Sequence, residues 1–194
     1  MKDPLVRQSL ICGLCLMLVN GFVLASGFYP ALLISANLLP GFAYALLLVR
    51  HGSEERRIVQ LLFVVLAGGL NYLAGWVAMG YSPLGNYSAT IFAFGSLSGA
   101  VLLYCLVCVL IDRNLNIQQG ILWVAAGGLL ASLIPGMVNA AGLGKFSGGG
   151  WEAYFYSFGF CTIFPLWQTF FSLAVQKSRK ETASTGTAEF ASAA

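Results

Sequence analysis

Six apolar stretches carry no formal charge, and this exclusion constrains the fold more than any other feature of the chain. They run over about 8–28, 31–49, 58–79, 89–111, 120–141 and 153–175, without one Asp, Glu, Lys, Arg or His. Each is about 19–23 residues long, the length of α-helix that crosses a bilayer. All ten Lys and Arg residues lie outside them, and nine occupy alternate ends. Lys2 and Arg7 precede the first stretch, and Arg50, Arg56 and Arg57 follow the second. Arg113 follows the fourth, and Lys177, Arg179 and Lys180 follow the sixth; Lys145 alone has the other parity. Loops rich in Lys and Arg stay cytoplasmic. The sequence therefore predicts an all-α polytopic membrane protein with six transmembrane helices. Both termini are expected in the cytoplasm, and the membrane is expected to be a bacterial inner (plasma) membrane.

Composition agrees. Of 194 residues, 58% are hydrophobic and 9% charged. A soluble domain carries about 25% charged residues, so water is an unsuitable solvent for most of this surface. Six spans with short loops fill residues 1–176 as one transmembrane domain and leave no room for a soluble catalytic module. Residues 177–194 are small and polar and are expected to form a disordered cytoplasmic tail. The net charge of +3 sits on the cytoplasmic rim, where it attracts anionic headgroups. Membrane lipid is thus an expected partner, with another membrane protein or a second copy as further candidates. No basic patch interleaved with exposed aromatics supports nucleic-acid binding. Lys2, Arg7 and Val23-Leu24-Ala25 also fit a signal peptide, but the long run and the direct passage into the next span favour a retained helix.

Tyr29, Trp76, Tyr81, Tyr87, Trp151, Tyr154 and Tyr156 fall at the proposed outer boundary, and Trp123 and Trp167 toward the inner side. In the charged loop 50–57, Ser53 is placed to cap the third helix, and His51 reads as a solvated loop histidine. The outer loop 81–88 holds Pro83 and Gly85, and 142–150 is glycine-rich. Leu38-Leu39-Pro40-Gly41-Phe42 in the second span echoes Leu133-Ile134-Pro135-Gly136-Met137 in the fifth. Those spans run in opposite directions. The echo suggests a 3+3 inverted repeat with helix breaks at Pro40, Gly41, Pro135 and Gly136, a common transporter plan.

Three constellations bear on chemistry. Counted from the cytoplasmic boundary, Asn20, Asn37, Asn71, Ser98, Ser132 and Thr162 each lie about 18–20 Å up their helices. One polar residue per span at one depth suits a site for a neutral polar solute or a partly dehydrated cation. The same residues serve equally well as interhelical glue, and Tyr72 and Gln168 extend either version.

The second constellation is a pair of Cys-x-x-Cys spacings, Cys12 with Cys15 and Cys105 with Cys108. Residues i and i+3 share a helix face, so two facing pairs offer four thiolates to a metal or cluster. This outline resembles six-span carriers of thiol electrons and the small cluster-holding subunits of redox complexes, in span count and cysteine position only. Thiol carriers place proline beside each active cysteine, and none of these four has one. Cysteine as a small hydrophobe is the plainer reading, and no cofactor is expected.

The third is Gly95-Ser96-Leu97-Ser98-Gly99, a close-packing face that Gly68, Gly75, Gly127, Gly128 and Ala131 match on other spans. Serine in such a setting also evokes an intramembrane protease, but the lone histidine, His51, lies in a loop, and serine without a base is not activated. The leading expectation is therefore a small carrier, channel or solute-binding subunit. The alternatives are an interaction protein, either an accessory subunit or an immunity-type protein, and a thiol or metal redox carrier.

Overall fold

The first helix starts on an aspartate cap. In the computed structural model, Asp3 Oδ1 accepts from the backbone amides of Leu5 at 2.8 Å and Val6 at 3.4 Å. Pro4 follows as the first helical residue, where its missing N–H costs nothing. The structure describes residues 3–26, 38–80, 88–142 and 151–192. All regular structure among them is helical: α1 (Pro4–Ser26), α2 (Leu39–His51), α3 (Arg57–Gly80), α4 (Ser88–Leu106), α5 (Ile117–Gly142), α6 (Trp151–Cys161) and α7 (Ile163–Ser192). Among the described residues, three stretches are long and apolar enough to cross a membrane: Pro4–Ser26, Ile117–Val138 and Trp151–Arg179. Arg57–Leu73 and Gly95–Ile111 are shorter apolar helices.

Packing closes a ring. α1 lies against α2, α2 against α3, α3 against α4, α4 against α5, and α5 against α6 and α7, which return to α1. Amphipathy along α1 is reversed relative to a helix in water. Ser9, Gly13, Leu16 and Asn20 are buried, while Ile11, Leu14, Leu18 and Phe22 face outward, each more than 40% exposed. Both columns follow the spacing of one helix face.

One end of the ring is built around an aromatic core. Tyr44, Phe63, Tyr104 and Phe171 are almost fully buried there. Phe171 meets the Tyr44 ring edge-on at 5.7 Å and stacks on Trp167 at 5.2 Å. Beside this core α4 ends in a π-helical turn, Val107–Ile111, closed by the Asp112 amide donating to the Val107 carbonyl at 2.8 Å. The helix stops there, so the Ile111 carbonyl has no partner within it and accepts from the amides of Ser53 and Glu54 at 3.1 and 3.0 Å. Ser53 therefore does not cap α3: its hydroxyl lies 3.2 Å from the Ile111 carbonyl and 3.3 Å from Asp112 Oδ1. Glu54 serves the start of α3 instead, accepting from the Arg56 amide at 2.9 Å and pairing with its guanidinium at 2.8 Å.

Asp112 is buried and also accepts from Arg179 on α7 and from the Asn114 amide. His51 bonds Gln8 of α1 at 3.0 Å, and Arg179 reaches the His51 carbonyl. The N-terminal helix, the 51–56 turn, the 112–116 turn and the C-terminal helix are thus tied at the same end. His51 is more enclosed than a freely solvated loop residue. Partial burial and the neighbouring Arg50 cation hold its pKa below the ordinary value.

Two expectations meet different local structure. Residues 177–192, expected to be disordered, continue α7 as helix to Ser192; Glu181, Ala183, Ala188 and Glu189 are strong helix formers. Pro135 and Gly136 lie inside the unbroken helix Ile117–Gly142, while Pro40 occupies the first turn of α2. Gly41 lets α2 approach α3 closely: a Cβ there would sit 2.7 Å from Asn71 Cβ and 3.1 Å from Gly68 Cα. Residues 27–37, ahead of Pro40, lie outside the described residues; among the described ones, a one-residue interruption falls at Thr162.

Candidate functional site: the seam between α1 and the broken α6–α7 unit

Pro165 explains the break. It has no N–H for the Cys161 carbonyl, and its ring crowds that carbonyl. The chain tightens instead, with the Thr162 amide on the Gly159 carbonyl at 3.3 Å and the Thr162 hydroxyl on the same oxygen at 2.6 Å. The helical pattern resumes at Leu166, whose amide reaches the Thr162 carbonyl at 3.3 Å.

α1 runs antiparallel against this broken unit. Ser9 Oγ lies 2.6 Å from Ser172 Oγ. Gly13 abuts Phe164 and Pro165 so closely that a Cβ would fall 2.4 Å from Pro165 Cα. Higher up, Gly21 faces the Phe158 ring, and Phe22 meets that ring edge-on at 5.1 Å. Ser9, Gly13, Leu16 and Asn20 form the buried column on α1; Ser157, Cys161, Pro165, Gln168 and Ser172 form the buried column opposite. Spacings of three and four residues keep each column on one face. Small residues at the crossing bring the backbones together, as van der Waals packing between membrane helices requires.

Polar groups in the seam fall into two sets. Near the aromatic end they are paired: Tyr44 Oη lies 2.6 Å from Ser172 Oγ and donates to the Gln168 carbonyl at 3.1 Å. Toward the break, pairing is incomplete. Asn20 is fully buried, and its Nδ2 donates to the Leu16 carbonyl at 2.9 Å, which leaves Oδ1 with no protein partner. Ser157 Oγ, Gln168 Oε1 and Thr169 Oγ1 are buried without a protein partner too. Such groups are rare in folded proteins, and each calls for a physical reason.

The structure places five of the six residues predicted as one polar layer. Asn20, Ser98, Ser132 and Thr162 each bond a carbonyl three or four residues back on their own helix. Asn71 lies at the α2–α3 contact beside Gly41, and Asn37 lies outside the described residues. Bonds between helices include those of Ser9, Tyr44 and Ser172, of Ser96 to the Gly128 carbonyl at 2.7 Å, and of Trp167 to the Ser96 carbonyl at 3.3 Å. Close packing is similarly redistributed. A Cβ at Gly68, Gly127 or Gly128 would meet a neighbour within 3 Å, whereas Gly95 and Gly99 have open space around them.

All five cysteines are free thiols. Cys12 and Cys15 sit on α1, Cys105 and Cys108 at the end of α4 and in its π turn, and α1 and α4 are not main packing partners. Among the described residues, no three His, Cys, Asp or Glu side chains gather in a way that could hold a metal ion. Comparison of the chain with protein-family models, with curated proteins and with solved structures finds no match.

Proposed function

We propose that this chain is a six-span integral membrane protein that binds a small neutral or weakly charged polar solute inside the bilayer. It would act as a carrier, channel or solute-binding subunit. The membrane is a bacterial inner membrane in this reading, and both termini are cytoplasmic. Support for the placement comes from the three long apolar helices and from the outward apolar column of α1. α3 has 24 residues, and α4 has 19 followed by five in the π turn, also enough to span. The segments tied together at one end include His51, Arg56 and Arg179, next to the cation-rich loops that the positive-inside rule assigns to the cytoplasm.

The observation that carries the binding role is Asn20 Oδ1, buried and unpaired on the column that faces the broken unit. An unpaired buried acceptor costs about 1–3 kcal/mol. A solute N–H or O–H, or a partly dehydrated cation, supplies what it lacks. Interrupted membrane helices are the usual setting of solute sites, because the break bares backbone polar groups. The two Pro-Gly sites lie in different surroundings, so the reading rests on the α6–α7 break and not on an inverted repeat.

Urea, glycerol, methylammonium, Na⁺ and K⁺ test it on protein in lipid nanodiscs, by thermal shift and then by flux in proteoliposomes. At least one should raise the melting temperature in a saturable way. Asn20→Leu should abolish that shift, and Ser98→Ala should retain it. No shift in the parent protein, or an equal shift in Asn20→Leu, removes the solute role and leaves the interaction role standing.

A further inference from the structure

A second site lies on the outside of the ring, between α5 and α7. A groove of about 480 Å³ runs between these helices, within the size range of small-molecule sites. Trp123, Ala126, Gly127 and Leu130 line it from α5, and Phe170, Leu173, Ala174 and Lys177 from α7. Both sets follow i, i+3, i+4, i+7, so the groove runs parallel to the helices for about 10 Å. Its floor is made of small residues: α7 approaches Gly127 so closely that a Cβ there would lie 2.8 Å from Phe170 Cβ. Its walls are Trp123, Leu130 and Leu173, each 41–52% exposed. Polarity is confined to one end. Lys177 Nζ stands 3.5 Å from the centre of the Trp123 ring, with Gln176 beside it. These residues follow the last apolar stretch, at the level where headgroups begin.

We infer that this groove is a binding site for an anionic phospholipid. One acyl chain lies along the Ala126–Gly127–Ala174 floor, and the headgroup phosphate is held by the Lys177 ammonium and the Gln176 amide. Charge complementarity selects this occupant. The groove is apolar along its length and cationic at its headgroup end, so an amphiphile with a negative head matches both parts. A zwitterionic lipid fills the apolar part, but its own ammonium offsets the attraction of Lys177. A cation at headgroup level is worth about 1 kcal/mol toward an anionic lipid, or about a fivefold preference. Trp123 fixes the ammonium over its face and so lowers the cost of orienting it. The inference rests on membrane placement and is independent of the solute site at Asn20.

The test uses full-length protein in mild detergent, with lipid retention read by native mass spectrometry. Phosphatidylglycerol and phosphatidylcholine of matched chains are the probes. The parent protein should retain phosphatidylglycerol about fivefold better. Lys177→Gln should bring the two lipids level. Ala126→Leu, which fills the groove from its exposed side, should weaken both while leaving the melting temperature of the delipidated protein unchanged. Equal retention by the parent protein, or retention indifferent to both substitutions, overturns the proposal. Competition by glycerol 1-phosphate would reveal a phosphate site without a chain site and would also overturn it. So would a dimer that Ala126→Leu dissociates, since a second copy would then occupy the groove.

Discussion

Gly13→Ala should be among the most damaging single-methyl changes in this protein. The added Cβ would fall 2.4 Å from Pro165 Cα and 2.7 Å from Pro165 N, with the Phe164 carbonyl at 2.9 Å. All three are backbone atoms, so no side-chain rotation relieves the clash; α1 and α7 must separate by about 1 Å along much of their seam. Overpacking of this kind costs about 1–3 kcal/mol. Gly69 provides the control, because nothing lies within 4 Å of a Cβ built there. Gly69→Ala should show only the helix propensity gain of about 1 kcal/mol. The propensity gain is common to both variants, so they should differ by the clash alone, about 1–3 kcal/mol. Reversible unfolding in mixed micelles, followed by tryptophan fluorescence, measures the gap. Pro165→Ala should not rescue Gly13→Ala, since the atoms in contact belong to any residue at position 165. Equal stabilities for the two glycine variants would refute the close crossing of α1 and α7.

Pro165→Ala alone should give residue 165 an amide for the Cys161 carbonyl and slow hydrogen exchange across 162–166; unchanged exchange would mean that proline is not the cause of the break. Ser172→Ala should cost about 1 kcal/mol because Ser172 holds both Ser9 and Tyr44, while Ser132→Ala, whose hydroxyl bonds its own helix, should cost less than about 0.5; equal costs in unfolding titrations would contradict this pairing. Asp112→Ala should cost about 2–3 kcal/mol in unfolding titrations, since Ser53, the Asn114 amide and Arg179 all donate to this buried carboxylate, and Arg179→Ala should also destabilise because it leaves that carboxylate without its cation. His51 has its pKa lowered in the fold, so its contribution is fully present above the unfolded value of 6.5 and lost as pH falls through the lower folded value. Melting temperature should drop on acidification from pH 7 toward 5 by an amount that His51→Gln reduces, and Glu54, held at about 2 by Arg56, stays charged throughout that range.

The helices were legible because hydrocarbon length and charge exclusion act on whole segments. The stretch 58–79 became Arg57–Gly80, 89–111 became α4 with its π turn, and 120–141 became Ile117–Gly142. The polar residues were harder, for a geometric reason. Depth is a coordinate along a helix, whereas hydrogen-bond partners are chosen by rotation around it. Serine and threonine can also close onto the carbonyl one turn back, and Ser98, Ser132 and Thr162 do so. A heptad-like reading carried the missing signal. Ser9, Gly13, Leu16 and Asn20 repeat at four, three and four residues, and Ser157, Cys161, Pro165, Gln168 and Ser172 do much the same. That repeat marks facing columns of small and polar residues. The π turn before Asp112 and the groove at Trp123 and Lys177 depend on contacts between distant segments, which local sequence does not encode.

Closure of the ring by its first and last helices sets a timetable for biosynthesis. Ser9 finds its partner Ser172 across 163 positions of chain, and synthesis of that interval takes about 8–33 s at 5–20 residues per second. Throughout it, α1 is already made while Ser9, Gly13 and Asn20 have nothing opposite them. The nascent protein is an open arc with a polar edge on its first helix, and only the α6–α7 unit, made late, covers that edge. A chain that stops before α6 leaves that edge uncovered.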